Sequence, residues 1–165
     1  MSPSIYLGHS HRCRADAKVI EELLRSWSFT VINPFDGDEE SLAMTNAWGQ
    51  YRNNPEILRL LSRLIYAKDR RLIAKADALV ILYLEESTGA ANEIAIGKFT
   101  GKPVIVLTDF IHPFIEGQAD LVLPVDGASE KHPELREALR RLFRPKITVI
   151  LTEYDEPILD VEGLD

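Results

Sequence analysis

Apolar residues fall in short blocks along the chain, and the spacing within each block predicts its secondary structure. Ile5-Tyr6-Leu7-Gly8 is a buried-strand pattern that gives way to a polar loop, His9 to Arg14. Ala17, Ile20, Leu23, Leu24 and Trp27 then recur at helical spacing. Phe29-Thr30-Val31-Ile32 is β-rich and stops at Asn33-Pro34, a pair that turns the chain. From Phe35 to Asn54 no periodicity is sustained, so this stretch reads as an excursion over the sheet edge, either a lid or a disordered insertion. Pro55 opens a helix whose stripe is Ile57, Leu58, Leu61, Leu64 and Ile65, continuing toward Leu72 and Ile73.

Ala78 to Leu84 has no polar alternation, as a central parallel strand covered on both faces requires. After the loop Glu85 to Gly89, a helix over Ala90 to Thr100 is capped by Gly101 ahead of a strand over Pro103 to Leu107. Leu121 to Val125 predicts a fifth strand and Pro133 to Phe143 a last amphipathic helix. The alternation implies an α/β domain: a doubly wound, flavodoxin-like five-stranded parallel sheet with helices on both faces. Residues 1–151 are expected to form one such domain, with 147–151 as an added edge strand or a partner contact. Thr152 to Asp165 is expected to be an acidic, mobile tail. No internal repeat is present.

Composition narrows the class. A chain of 165 residues with 45% hydrophobic content can bury a core without disulfides or metal. One cysteine cannot form an intrachain bridge and no signal-like segment opens the sequence, so a cytoplasmic location is expected. Its apolar runs fall short of the roughly 18–20 residues that cross a bilayer, and no membrane partner is expected. A net charge of -7 without a basic run argues against nucleic acid, although a few arginines in a cleft can still hold one phosphate. Four His and one Cys without ligand spacing predict no metal and no cofactor.

Ligands of open parallel sheets bind beyond the carboxyl ends of the strands. That rule selects the loop His9 to Arg14, the segment after Ile32, and Glu85 to Glu93. Glu93, about one turn into its helix, is expected to stay ionised and to suit attack on an anomeric carbon, or else merely to complement the helix dipole. Ser87 and Gly89 at the preceding turn fit a phosphate or sugar hydroxyl, and equally fit an ordinary capped turn. Asp69 can act as a general acid only if its helix reaches the binding edge; Asp77 falls at the opposite end of the strand. Tyr6 either fills the core or gives its hydroxyl to a carboxylate. Arg12 and Arg14 fit a phosphate or an exposed surface. His9 and His11 receive no proton-transfer role from their spacing.

Ile5-Tyr6-Leu7-Gly8, the run Asp69-x-x-x-Ile73-x-x-x-Asp77-Ala78-Leu79-Val80, and Ser87 to Ile94 followed by Gly101-Lys102-Pro103-Val104 resemble the nucleoside 2-deoxyribosyltransferase superfamily. The resemblance covers most of Ile5 to Leu107. It implies that Glu93 attacks C1′, that Asp69 assists the leaving base and that Tyr6 holds the nucleophile. Serine at position 87 resembles the 2′-deoxynucleoside 5′-monophosphate N-hydrolases, and Gly8 to Asp16, with Ser10, Arg12 and Arg14, resembles their phosphate loop. His9 and His11 depart from that loop, and Asn92 adds a polar residue beside the nucleophile. Hydrolysis of a nucleoside monophosphate is the implied activity, with transfer of the sugar between bases as the close alternative. A homo-oligomer, a dimer or larger, is implied as well. An NAD-cleaving domain of the Toll/interleukin-receptor type and a non-catalytic nucleotide-sensing module are the rival classes.

Overall fold

The computed structural model describes residues 2–35, 39–110, 112–125, 132–144, 146–151 and 157–162. Contacts divide the chain into two units, 2–131 and 132–165. The larger one holds the expected sheet. Its strands are β1 (Ser4–His9), β2 (Thr30–Ile32), β3 (Ala78–Leu82), β4 (Val104–Leu107) and β5 (Leu121–Leu123), all parallel, in the order β2-β1-β3-β4-β5.

The chain moves outward from β1 to β2 and then back across β1 to β3, β4 and β5. Because such crossovers are right-handed, the reversal sends the connecting helices to opposite faces. Helix α1 (Arg14–Ser26) covers one face with buried Ala17, Ile20 and Leu24. On the other lie α3 (Pro55–Lys75), α4 (Thr88–Phe99) and the short α5 (Pro113–Glu116). There Ile73, Ala90, Ile94 and Ile115 pack on Tyr6, Leu79, Ile81, Val104 and Val106. Every residue of β3 and β4 is buried, which explains their unbroken apolar runs.

Helix boundaries follow local chemistry. The Asn54 side chain accepts from the Glu56 and Ile57 N-H groups, both at 3.2 Å, and Pro55 takes the first helical position of α3. Such a cap contributes about 1 kcal/mol. Gly101 takes φ +70° just past α4, where a side chain would be strained.

Two segments differ from expectation. The excursion after Phe35 contains α2 (Glu39–Gln50), which packs on α3; residues 36–38 lie outside the described ones. Its sequence lacks an apolar stripe, and its helix-forming Glu, Ala, Met and Gln residues left no periodic signature. The smaller unit carries α6 (Pro133–Leu142) and an antiparallel hairpin of β6 (Lys146–Leu151) and β7 (Pro157–Glu162). Thus 146–151, read as an edge strand or a partner contact, pairs with 157–162 of the segment read as a tail. Among the described residues, no helix is long and apolar enough to cross a membrane.

Candidate active site

Ser87 caps α4, its hydroxyl accepting from the Ala90 N-H at 3.3 Å. This start fixes the helical phase so that Ala90, Glu93, Ile94 and Gly97 form the face turned to the sheet. Glu93 is therefore a carboxyl group on a core face, only 7% exposed. The Tyr6 hydroxyl, from the fully buried middle of β1, donates to Glu93 Oε1 at 2.9 Å. Two residues along the same strand face, Gly8 leaves the space that the carboxylate occupies. A Cβ there would run into Glu93 Oε2 and lie 2.5 Å from Ile81 Cδ1. The backbone of β1 thus forms the floor beneath the carboxylate.

A cavity of about 550 Å³ opens above this floor between α2, α3 and α4. Asp69 and Glu93 supply its acidic groups; Trp48, Ile65, Tyr66 and Ile96 supply apolar walls, and Asn92 lies beside the nucleophile candidate. The condition placed on Asp69 is met, because α3 carries it to the same cavity as Glu93. Within α3, Leu64 stays 44% exposed while Ile65 turns to the cavity, a small rotation from the stripe read in the sequence. Glu93 Oε2 and Asp69 Oδ1 are buried and make no hydrogen bond. Lys68, 6% exposed, donates from Nζ to the Pro34 carbonyl at 2.8 Å and approaches Asp69 Oδ1 to 3.5 Å.

Burial dominates the electrostatics. It raises Glu93 to about 8, helped by the nearby Asp69 and opposed by the Tyr6 hydrogen bond and the Lys68 charge. Asp69 is raised by burial and held back by Lys68. Burial, followed by the two carboxyl groups, pushes the Tyr6 hydroxyl well above its ordinary range. The expectation that Glu93 is simply ionised at neutral pH is therefore corrected. It sits beyond the first helical turn, where the dipole has faded, and desolvation of the carboxylate prevails.

The phosphate-loop candidates are engaged elsewhere. Ser10 Oγ donates to Glu85 Oε1 at 2.6 Å, and Arg12 lies 3.4 Å from Glu85 Oε2 with its side chain 85% exposed. Arg14 is exposed at the start of α1 and does not line the cavity. Gly89 lines it, and a Cβ there would meet Ser87 Oγ at an ordinary contact distance of 3.8 Å. Ser87 instead borders a second cavity, of about 540 Å³, with Thr88 and Asn92 shared between the two. The structure thus joins Tyr6, Gly8, Asp69, Gly89 and Glu93 in one place and leaves Ser10, Arg12, Arg14 and Ser87 outside the cavity's lining, Ser10 and Arg12 meeting Glu85 in the rim of loops that follows β1 and β3. Asp77 lies at the opposite end of β3, accepting from the Ser4 N-H and hydroxyl, both at 2.7 Å.

No protein-family model matches the chain, and no curated protein matches it. Solved structures of similar backbone include the CMP N-glycosidase BcmB of Clostridium botulinum, at 18% identity over 82% of this chain and 98% of that one, with a TM-score of 0.48. A 2-deoxyribosyltransferase of Bacillus psychrosaccharolyticus matches at 18% identity over 73% of this chain and 85% of that one, with a TM-score of 0.46. A 3-dehydroquinate dehydratase-like protein of Bifidobacterium longum matches at 9% identity over 87% of this chain and 100% of that one, with a TM-score of 0.47.

Lys68 escaped the sequence reading, while Glu85 and Trp48 entered it only as members of a loop and of the excursion after Phe35. Lys68 falls seven positions after Leu61 and five before Ile73, on the buried side of α3, so a lysine in a core-facing row was the available signal. His9 has a structural place: its Nε2 meets Asn33 Oδ1 at 3.2 Å, and Asn33 in turn donates to Glu21 at 2.9 Å. This network links the ends of β1 and β2 to α1. Among the described residues, no group of three or more His, Cys, Asp or Glu side chains could hold a metal.

Proposed function

We propose that this chain is an N-glycosidase that cleaves the base-sugar bond of a (deoxy)nucleoside 5′-monophosphate through a covalent glycosyl-Glu93 intermediate. The observation that carries the reading is the meeting of Tyr6, Asp69 and Glu93 at the carboxyl edge of the sheet, with Glu93 Oε2 buried and unpartnered beside an open cavity. The Tyr6 hydroxyl occupies Oε1 and leaves Oε2 to attack C1′. As the C1′-N bond breaks, Asp69 gives its proton to the leaving base, and an ester joins C1′ to Glu93. Water, deprotonated by Asp69, then attacks C1′ from the face the base left. Glu93 departs as carboxylate, and free base and sugar phosphate are released with retained configuration at C1′.

The competent form carries one proton, on Asp69, and the two carboxyl groups titrate as a coupled pair. Burial raises both carboxyl groups, Glu93 to about 8, so the competent form arises as the pair loses its first proton. Trp48, Tyr66, Ile65 and Ile96 suit a planar base, which stacks on aromatic faces and sheds water there. The 5′-phosphate falls to the rim, where it displaces Glu85 from Ser10 and Arg12.

The test is chromatographic detection of free base after wild type and Glu93→Ala are incubated with ribo- and deoxyribonucleosides, their 5′-monophosphates and NAD, with and without an acceptor base. The expected result is base release from monophosphates by wild type alone, independent of acceptor. Acceptor-dependent exchange would make the protein a transferase, and nicotinamide release an NAD-cleaving enzyme. Binding without release from any substrate would make it a sensor and overturn the proposal.

A further inference from the structure

We infer that Lys68 is a positioning residue: its buried ammonium keeps the Asp69-Glu93 pair in the singly protonated state that the reaction needs. The inference rests on the reading of Glu93 as nucleophile. It begins from an anomaly of packing. On the buried side of α3, where Leu61 and Ile73 face inward, a lysine replaces a hydrocarbon and is 6% exposed. An ammonium taken out of water at such a place is costly, and an apolar side chain of similar length would pack there without that penalty.

What surrounds the ammonium accounts for its retention. One donor goes to the Pro34 carbonyl at 2.8 Å, which fixes Nζ between α3 and the segment after β2. At 3.5 Å, Asp69 Oδ1 is too far for a good hydrogen bond and close enough for a strong charge interaction in a water-poor site. Among the described residues, the titratable groups of this cluster are Tyr6 on β1, Lys68 and Asp69 on α3, and Glu93 on α4. Two carboxyl groups and a phenol buried together all favour their neutral forms, and doubly protonated carboxyl groups leave no nucleophile. Among the described residues Lys68 is the cation that acts on both, most strongly on Asp69 at 3.5 Å and less on Glu93, so that it opposes the second proton of the pair.

Its loss would therefore change the pH at which the site becomes competent rather than its affinity for substrate. The experiment is the pH-rate profile of base release by wild type, Lys68→Met and Lys68→Arg. Lys68→Met should fall at least about tenfold in kcat at pH 7 with KM within about twofold. Its ascending limb should move up by about one pH unit or more, the effect of a neighbouring opposite charge. Lys68→Arg should keep the wild-type midpoint. A direct titration of the Glu93 side-chain carboxyl carbon by NMR, which needs no turnover, should show the same upward move in Lys68→Met. Should Lys68→Met fold poorly, Lys68→Gln removes the charge while keeping a donor for the Pro34 carbonyl. An unmoved midpoint in a folded, charge-free variant would overturn the inference while leaving the nucleophile reading intact. No base release by wild type, with Glu93 titrating identically in both proteins, would overturn both.

Discussion

The floor of the cavity and the rim of loops that follows β1 and β3 lie on the same sheet edge, yet they are built by opposite rules. On the floor, Tyr6 and Glu93 are buried, joined at 2.9 Å, and seated over a glycine that tolerates no side chain. On the rim, Ser10, Arg12 and Glu85 form a polar cluster in which Arg12 is 85% exposed. A buried carboxyl group lowers stability and is kept where chemistry needs it, whereas an exposed ion pair contributes roughly 0–1 kcal/mol and rearranges readily. Under the proposed function, reaction type belongs to the floor and the preference for the 5′ end to the rim.

The sharpest way to break this contrast is at the floor. Glu93→Gln should lower turnover by about 10⁴-fold or more while substrate still binds, read as base release and as calorimetric affinity. The same substitution has an opposite effect on stability. Because burial raises the Glu93 carboxyl to about 8 in the folded protein while an ordinary glutamate releases its proton near 4.5, wild type should lose stability as pH rises across that interval. Urea unfolding should show Glu93→Gln gaining on wild type between pH 5 and pH 8.5. A difference that stays flat with pH would mean that Glu93 is not desolvated.

Asp69→Asn comes next, with an expected loss of about 10²–10³-fold in kcat. The loss should shrink for substrates whose base leaves well without protonation; an equal loss for all bases would remove Asp69 from the acid role. Gly8→Ala tests the geometry of the floor. Its new methyl must displace the Glu93 carboxylate or Ile81, so a fall of about 10²-fold in kcat is expected, together with about 1–3 kcal/mol of destabilisation by urea unfolding. The smallest effect belongs to the rim. Glu85→Gln should lower KM for a nucleoside 5′-monophosphate by a few-fold, leave KM for the free nucleoside unchanged, and shift stability by less than about 0.5 kcal/mol.

The same contrast explains what could be read from the sequence. β3 was legible because a strand buried on both faces leaves an uninterrupted apolar run, and α4 because Ser87 and Gly101 mark its two ends. Tyr6 and Glu93 were legible singly as residues at the right edge. Their partnership across 87 positions is a tertiary fact that no local period carries, and only a family resemblance suggested it. On α3, period alone left the phase loose enough that Leu64 faces solvent and Ile65 the cavity, which hid the role of Lys68. Helix α2 escaped because it has no apolar stripe, and β7 because its acidic residues read as a solvated tail. At the rim, Glu85 was read only as part of a loop, since nothing local places it against Ser10, 75 positions away.

The account stands or falls on a covalent bond to one carboxylate. The most direct measurement is peptide mass spectrometry of wild type after rapid acid quench during turnover of a 2′-fluorinated nucleoside 5′-monophosphate, whose fluorine slows breakdown of the glycosyl ester. The account predicts a sugar-phosphate mass increment on the peptide containing Glu93, located at that residue and absent from Glu93→Gln. Base release with that peptide unmodified, or with the increment on another side chain, would contradict it.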